Sequence, residues 1–163
     1  MSTPATLQDI FAFEGPIEAA VSAMLTAAGV SDILTRGQYA YAKDTRVEVR
    51  LDPGAADPES LSLVGAGMEY ISRTGILEIS VMSDRRREKT NTGPRLLHDA
   101  ILANVRAAMI RANAGALNAL LPNHIVTDLR DHGVERSLSV GIDVSVQRFT
   151  ITFEINTASW PSS

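Results

Sequence analysis

His98, His124 and His132 are the only three histidines in the chain, and there is no cysteine. Metal sites built on imidazole need ligands at short, fixed spacings. None of the three stands in a His-x-x-x-His or His-Glu-x-x-His arrangement. Without a thiol, thiolate zinc sites, iron–sulfur clusters, redox pairs and cysteine nucleophiles are excluded. His98 is followed by Asp99, a pair that can act as a base with its orienting acid. At the head of a predicted helix the plainer reading is a polar patch, where the helix dipole stabilises an acid. His132 precedes Gly133 in a predicted turn and takes the same plain reading. No serine lies in Gly-x-Ser-x-Gly. Gly65-Ala66-Gly67 carries the first two glycines of a dinucleotide fingerprint, but a strand is predicted next, where the fingerprint opens a helix. Carboxylates for acid–base work stand at Glu69, Glu78, Asp128, Asp131, Asp143 and Glu154. All fall on predicted strand faces or ends, where a solvated polar face accounts for them. The expectation is a chain with no catalytic residue, no metal and no cofactor, and not an enzyme.

Three features suit contact better than catalysis. Arg85-Arg86-Arg87 is the densest charge cluster. Guanidinium forks suit phosphate or the acids of a partner, while flanking Asp84 and Glu88 favour a solvated loop. Trp160, the single tryptophan, stands in a C-terminal tail, either pinned to its own sheet or placed at an interface, where tryptophan is enriched. At the other end Leu7, Ile10, Phe11 and Phe13 make an apolar arm. The candidate interface residues are therefore Phe11, Phe13, Arg85, Arg86, Arg87 and Trp160.

The bulk composition narrows the class. With 163 residues, 45% of them hydrophobic, the chain can bury a core as one domain with no disulfide or metal. The expected layout is a single structural domain with an arm over about 1–15 and a tail over about 157–163. Nineteen acids outweigh fifteen bases for a net charge of −4, which argues against sequence-specific nucleic-acid binding. Residues 2–8 are polar, unlike a secretory signal. No apolar run approaches the roughly 20 residues that cross a bilayer.

The elements that must position these residues follow from periodicity. Pro16 opens a helix whose Ile17, Ala20, Val21, Met24 and Leu25 form one stripe, capped at Gly29. Residues 30–36 suggest a short strand. Residues 46–51 make a better one, with Val47, Val49 and Leu51 alternating against charged neighbours. The 55–67 stretch reads as loop. Residues 69–82 read as strand, with Gly75 a bulge or kink and Leu77, Ile79 and Val81 on one face. An exposed polar loop over 83–93 follows. Pro94 opens the longest helix, with Leu97, Ile101, Val105 and Ala108 in a stripe that Leu102 and Met109 widen. A short helix covers 114–121. Strand 124–131 ends in a turn at His132-Gly133. Apolar alternation through Leu138, Val140, Ile142, Val144 and Val146 then changes phase to Phe149, Ile151, Phe153 and Ile155. A slip of one residue swaps a strand's faces, so either a bulge near Gln147 or a hairpin is expected, with strands near 136–141 and 145–156. Strand runs around a helical insert predict an α+β fold with a mostly antiparallel sheet packed against one long and one or two shorter helices. Val47, Val49, Leu77, Ile79, Val81, Ile151 and Phe153 are expected on the side the long helix covers.

The block Leu117-Asn118-Ala119-Leu120-Leu121-Pro122-Asn123-His124-Ile125-Val126, its continuation to Arg136, and the later Phe149-Thr150-Ile151-Thr152-Phe153-Glu154-Ile155 resemble the C-terminal half of small tail-terminator and neck (tail-completion) subunits of tailed bacteriophages. The likeness covers about residues 75–160 and rests on the type and order of elements. It implies a structural virion protein forming a homo-oligomeric ring, a hexamer, at the junction of tail tube protein and neck connector. The ring would be assembled in the host cytoplasm, with no cofactor and no reaction. The alternatives are a head-completion or adaptor protein of the neck and, from another class, a small α+β enzyme or ligand-binding module.

Overall fold

The computed structural model describes residues 14–34, 45–52, 70–84, 93–111, 114–121, 124–139 and 141–156. In chain order these give α1 (Glu14–Ala27), β1 (Ile33–Leu34), β2 (Thr45–Asp52), β3 (Tyr70–Asp84), α2 (Gly93–Arg111), α3 (Ala114–Asn118), β4 (His124–Ser139) and β5 (Ile142–Asn156). The strands form one sheet in the order β1-β2-β3-β5-β4. Only β1–β2 is parallel; the other pairs are antiparallel. The fold is α+β, as the alternation of strand runs and helices predicts.

Helix α1 starts at Glu14, two residues ahead of Pro16, which the first turn tolerates because its N–H has no intrahelical partner. At its end Gly29 N–H donates to Thr26 O and Val30 N–H to Leu25 O, both at 3.0 Å, a Schellman closure. Gly29 has a φ of 88°, the left-handed value that closure demands. The apolar stripe then falls on the sheet, with Ile17, Val21 and Leu25 buried.

One face of the sheet holds the core. Val47, Val49 and Leu51 pair in register with Val81, Ile79 and Leu77. Phe149, Ile151 and Phe153 continue the same face on β5. Val105, Ala108 and Met109 of α2 and Leu117 of α3 close over it, with Ile101 and Leu102 partly buried against the cluster. All seven residues expected on the helix-covered side are buried there. Each large side chain so buried contributes roughly 1.5–3 kcal/mol. The opposite face carries Thr74, Glu78, Ser80, Arg148 and Thr152, and no described helix packs on it.

Four local expectations are corrected. The hairpin alternative holds, with Ser139 paired to Ile142 where β4 turns into β5, but the bulge does not: β5 pairs with β3 without a break from Ile142 to Asn156, so the strand starts earlier than expected and passes Gln147 in one phase. Ser145 and Gln147 occupy the buried face, and Val144 and Val146 the other. Gly75 is buried and pairs squarely with Ile151, so it is not a bulge. His132-Gly133 is a bulge inside β4, not a turn, for the register jumps from Asp131–Phe149 to Val134–Gln147. Gly133, with φ 87°, and its N–H bonded to Asp131 Oδ1 at 2.7 Å, absorbs the extra residue. A second irregularity lies between Val126 and Asp128. Finally, Ser83 and Asp84 end β3 and are buried, so they are not part of an exposed loop; residues 85–92 of that expected loop lie outside the described residues.

Candidate functional site

Helix α2 points one residue of its apolar stripe at the polar end of the sheet. His98 stands where the spacing of Ile101, Leu102 and Val105 puts a core side chain, and it is 1% exposed. Ser83 Oγ lies 2.9 Å from its Nδ1 and Ser145 Oγ 2.8 Å from its Nε2. The two serines come from adjacent strands: Ser83 pairs with Asp143, and Val81 with Ser145. Arg136, opposite Ser145 on β4, donates from Nε to Ser145 Oγ at 3.2 Å. Its terminal nitrogen forms an ion pair with Asp99. A polar chain thus crosses β3, α2, β5 and β4. Asp99 does not orient His98; it holds Arg136.

A guanidinium only donates, so Ser145 Oγ accepts from Arg136 and can turn its own proton to His98 Nε2. Nδ1–H then donates to Ser83 Oγ. That is the hydrogen-bond order of a nucleophile, a base and an orienting group. A cleft of about 240 Å³, lined by His98, Arg136, Leu138, Asp143 and Ser145 among others, opens beside it. Ser145 is as deeply buried as His98, at 1% exposure, so neither reacting atom faces solvent. In this state the cluster acts as a staple. It pins α2 to the central strands where the apolar residues of the covered face give out.

The open face carries a second constellation. Arg148 reaches Glu78 Oε1 at 2.8 Å and also pairs with Glu135, joining β3, β5 and β4. Its hydrogen bonds to Glu78, then Glu135, raise its pKa above the ordinary value. Thr74 and Thr152 hydroxyls meet at 3.3 Å, and His132 Nε2 meets Thr150 Oγ1 at 2.6 Å. Of the other acids weighed from sequence, Asp131 accepts from Gly133 and Gln147, Asp128 pairs with Arg130, and Asp143 lines the cleft. Glu69 lies outside the described residues. The two carboxylates that do meet, Glu78 and Glu135, share a guanidinium. His124 is buried edge-on to Phe153, with ring centroids 5.9 Å apart, so the three histidines stand in three separate places. Among the described residues no three His, Asp or Glu gather as a metal site, and no helix is long and apolar enough to cross a membrane.

The sheet's edges form a third feature. On β2, beyond the short β1, the buried Glu18 carboxylate accepts Leu51 N–H at 2.8 Å. On β4 the Asn118 amide bonds both backbone groups of Val126, at 2.6 and 3.2 Å. Two helix side chains therefore stand in for missing strands. No described strand pairs with the outer edge of β4, and towards the two ends of this strand Ile125 and Leu138 are 44% and 61% exposed.

Phe11, Phe13, Arg85, Arg86, Arg87 and Trp160 all lie outside the described residues. The Ser83–His98–Ser145 cluster escaped sequence reading, although its signal was present as a histidine in phase with an apolar helical stripe. No protein-family model matches the chain, and no curated protein matches it.

Proposed function

We propose that this chain is an assembly subunit of the tail-terminator type, a structural virion protein whose copies close into a ring, a hexamer, that caps a phage tail tube and presents a docking surface to the neck. The observation that carries the reading is the one-sided sheet with its long edge strand. Helices cover one face, and β4 offers a stretch of backbone with no described strand beside it and apolar side chains at each end. Exposed edges of this kind pair with or bury against a neighbouring chain. A patch offered to one neighbour and received from another gives a ring when the rotation closes. Light scattering across a concentration series, with negative-stain imaging, tests it. Rings are expected. A chain that stays monomeric alone and with purified tail tubes refutes the proposal. Binding to head connectors but not to tubes would favour the adaptor alternative.

The distances of the Ser145–His98–Ser83 order favour one reading of a different class, acyl transfer by Ser145. A fluorophosphonate probe decides it. Labelling of Ser145 that disappears in His98→Gln supports an enzyme; an unlabelled wild-type chain removes that reading.

A further inference from the structure

The cleft beside His98 has one donor group that the Ser145–His98–Ser83 order leaves unused. A guanidinium carries its N–H donors in two forks, one side-on through Nε and Nη2 and one end-on through Nη1 and Nη2. Arg136 turns its side-on fork to the protein: Nε–H donates to Ser145 Oγ at 3.2 Å, and Nη2 donates to Asp99. Its end-on fork has no partner among the described residues. Two fixed points hold the plane of the group, so the free fork is oriented before anything meets it. Such a fork matches a carboxylate in two parallel hydrogen bonds. The pairing with Asp99 does not prevent this. On the open face of the same sheet Arg148 takes two carboxylates at once, Glu78 through Nε and Glu135 through Nη1. Asp99 is also 46% exposed, so water screens its share of the charge.

The rest of the cleft sets the size and polarity of what could enter. Its volume is about 240 Å³, room for roughly eight groups the size of a water, at about 30 Å³ each. His98 and Ser145, both 1% exposed, line it beside Arg136. Leu138 lines it too, and is 61% exposed. An apolar side chain left open on the wall of a cleft, next to a few converging polar groups, is the usual make-up of a small-molecule site. Asp143 is also on the wall. It repels a second negative charge, which limits an acid in this cleft to a single carboxylate.

We infer that this cleft binds a small monocarboxylic acid, with the carboxylate on the end-on fork of Arg136 and the carbon chain against Leu138. Neither ring closure nor acyl transfer is needed for it, so the inference stands or falls apart from both readings of function.

Saturation-transfer NMR on the whole chain, with acetate, propionate, butyrate and pentanoate as the probes, tests it. Binding should strengthen by roughly three- to fourfold with each added methylene. Leu138→Glu, a change at an exposed position, puts a carboxylate where the carbon chain would lie. It should abolish the signal while circular dichroism stays unchanged. Arg136→Met should abolish it as well. Arg136→Lys keeps the charge without the fork and should retain no more than about a tenth of the affinity. A wild-type chain that gives no saturable signal with any of the four acids overturns the inference. Binding that survives Leu138→Glu or Arg136→Met also overturns it, since the acid would then sit elsewhere. Pentylamine bound in preference to pentanoate would give the cleft to Asp143 and overturn it too.

Discussion

Replacing His98 with leucine tests whether the buried polar cluster is a staple. The side chain is fully buried and bonded on both ring nitrogens. A net hydrogen bond contributes about 0.5–1.5 kcal/mol, and a hydroxyl stripped of its partner in the interior costs about 1–3 kcal/mol. Ser145 keeps Arg136 as a donor, and Ser83 keeps other interactions, so the lower ends of these ranges apply. Leucine also returns some apolar burial. The expected loss is about 2–3 kcal/mol, which for a domain of this size lowers Tm by roughly 5–10 °C. Urea unfolding followed by circular dichroism, at a concentration where light scattering reports a constant mass, measures it. The companion variant Ser83→Ala, His98→Leu, Ser145→Ala removes the hydroxyls as well. The histidine and hydroxyls then go together, and Arg136, which loses Ser145 as an acceptor, is half exposed and can turn to water, so this triple should recover much of the loss. A His98→Leu cost below about 0.5 kcal/mol would refute the staple. A triple variant no more stable than the single one would refute the unpaired-hydroxyl reasoning.

Other perturbations probe the edges, the bulge and the open face. Glu18→Ala should cost about 1–3 kcal/mol by leaving Leu51 N–H without its carboxylate. Its amide exchange should accelerate well beyond that of Val49, whereas Glu18→Gln keeps an acceptor oxygen and most of the protection. Gly133→Ala should cost about 1–2 kcal/mol from backbone conformation alone, since a Cβ there meets nothing within 4 Å; Gly133→Asn should cost less, both read by denaturant titration. Arg148→Met should change stability by no more than about 1 kcal/mol, because the side chain is 41% exposed and its ion pairs are open to solvent screening. That difference should shrink as salt is raised from low to high in the same titration.

The parts of this fold legible in the sequence are those where burial and residue type agree. β2 and the Leu77–Val81 part of β3 alternate apolar with polar, and α1 carries its stripe and its capping glycine, so each follows from spacing alone. β5 misleads because the agreement fails there. Ser145 and Gln147 face the helices while Val144 and Val146 face outward, so hydrophobicity assigns the wrong side. Contacts from residues 47 positions away in sequence, His98 with Ser145, decide the true phase, and no local pattern encodes them. His132-Gly133 misleads for another reason: a left-handed glycine serves a turn and a bulge alike. The candidate site was half legible. His98 and Asp99 stood out as a pair, yet each takes a different partner, because neighbours on a helix point about 100° apart.

The strand order carries a consequence for synthesis. β3 and β4 run parallel, linked through α2 and α3, and the gap between them is filled by β5, the last strand in the chain order. Its pairing with β3 joins Tyr70 to Asn156, so the central ladder of the sheet cannot form on a ribosome until β5 has emerged. Until then the apolar row of β3 lacks its permanent neighbour, a window in which such rows bind chaperones or one another. Non-local ladders also fold slowly. A truncated translation product would lack the middle of its sheet, and with it the ladder that joins β3 to β4. The topology thus works as a completeness check: the sheet closes only after β5 has been made.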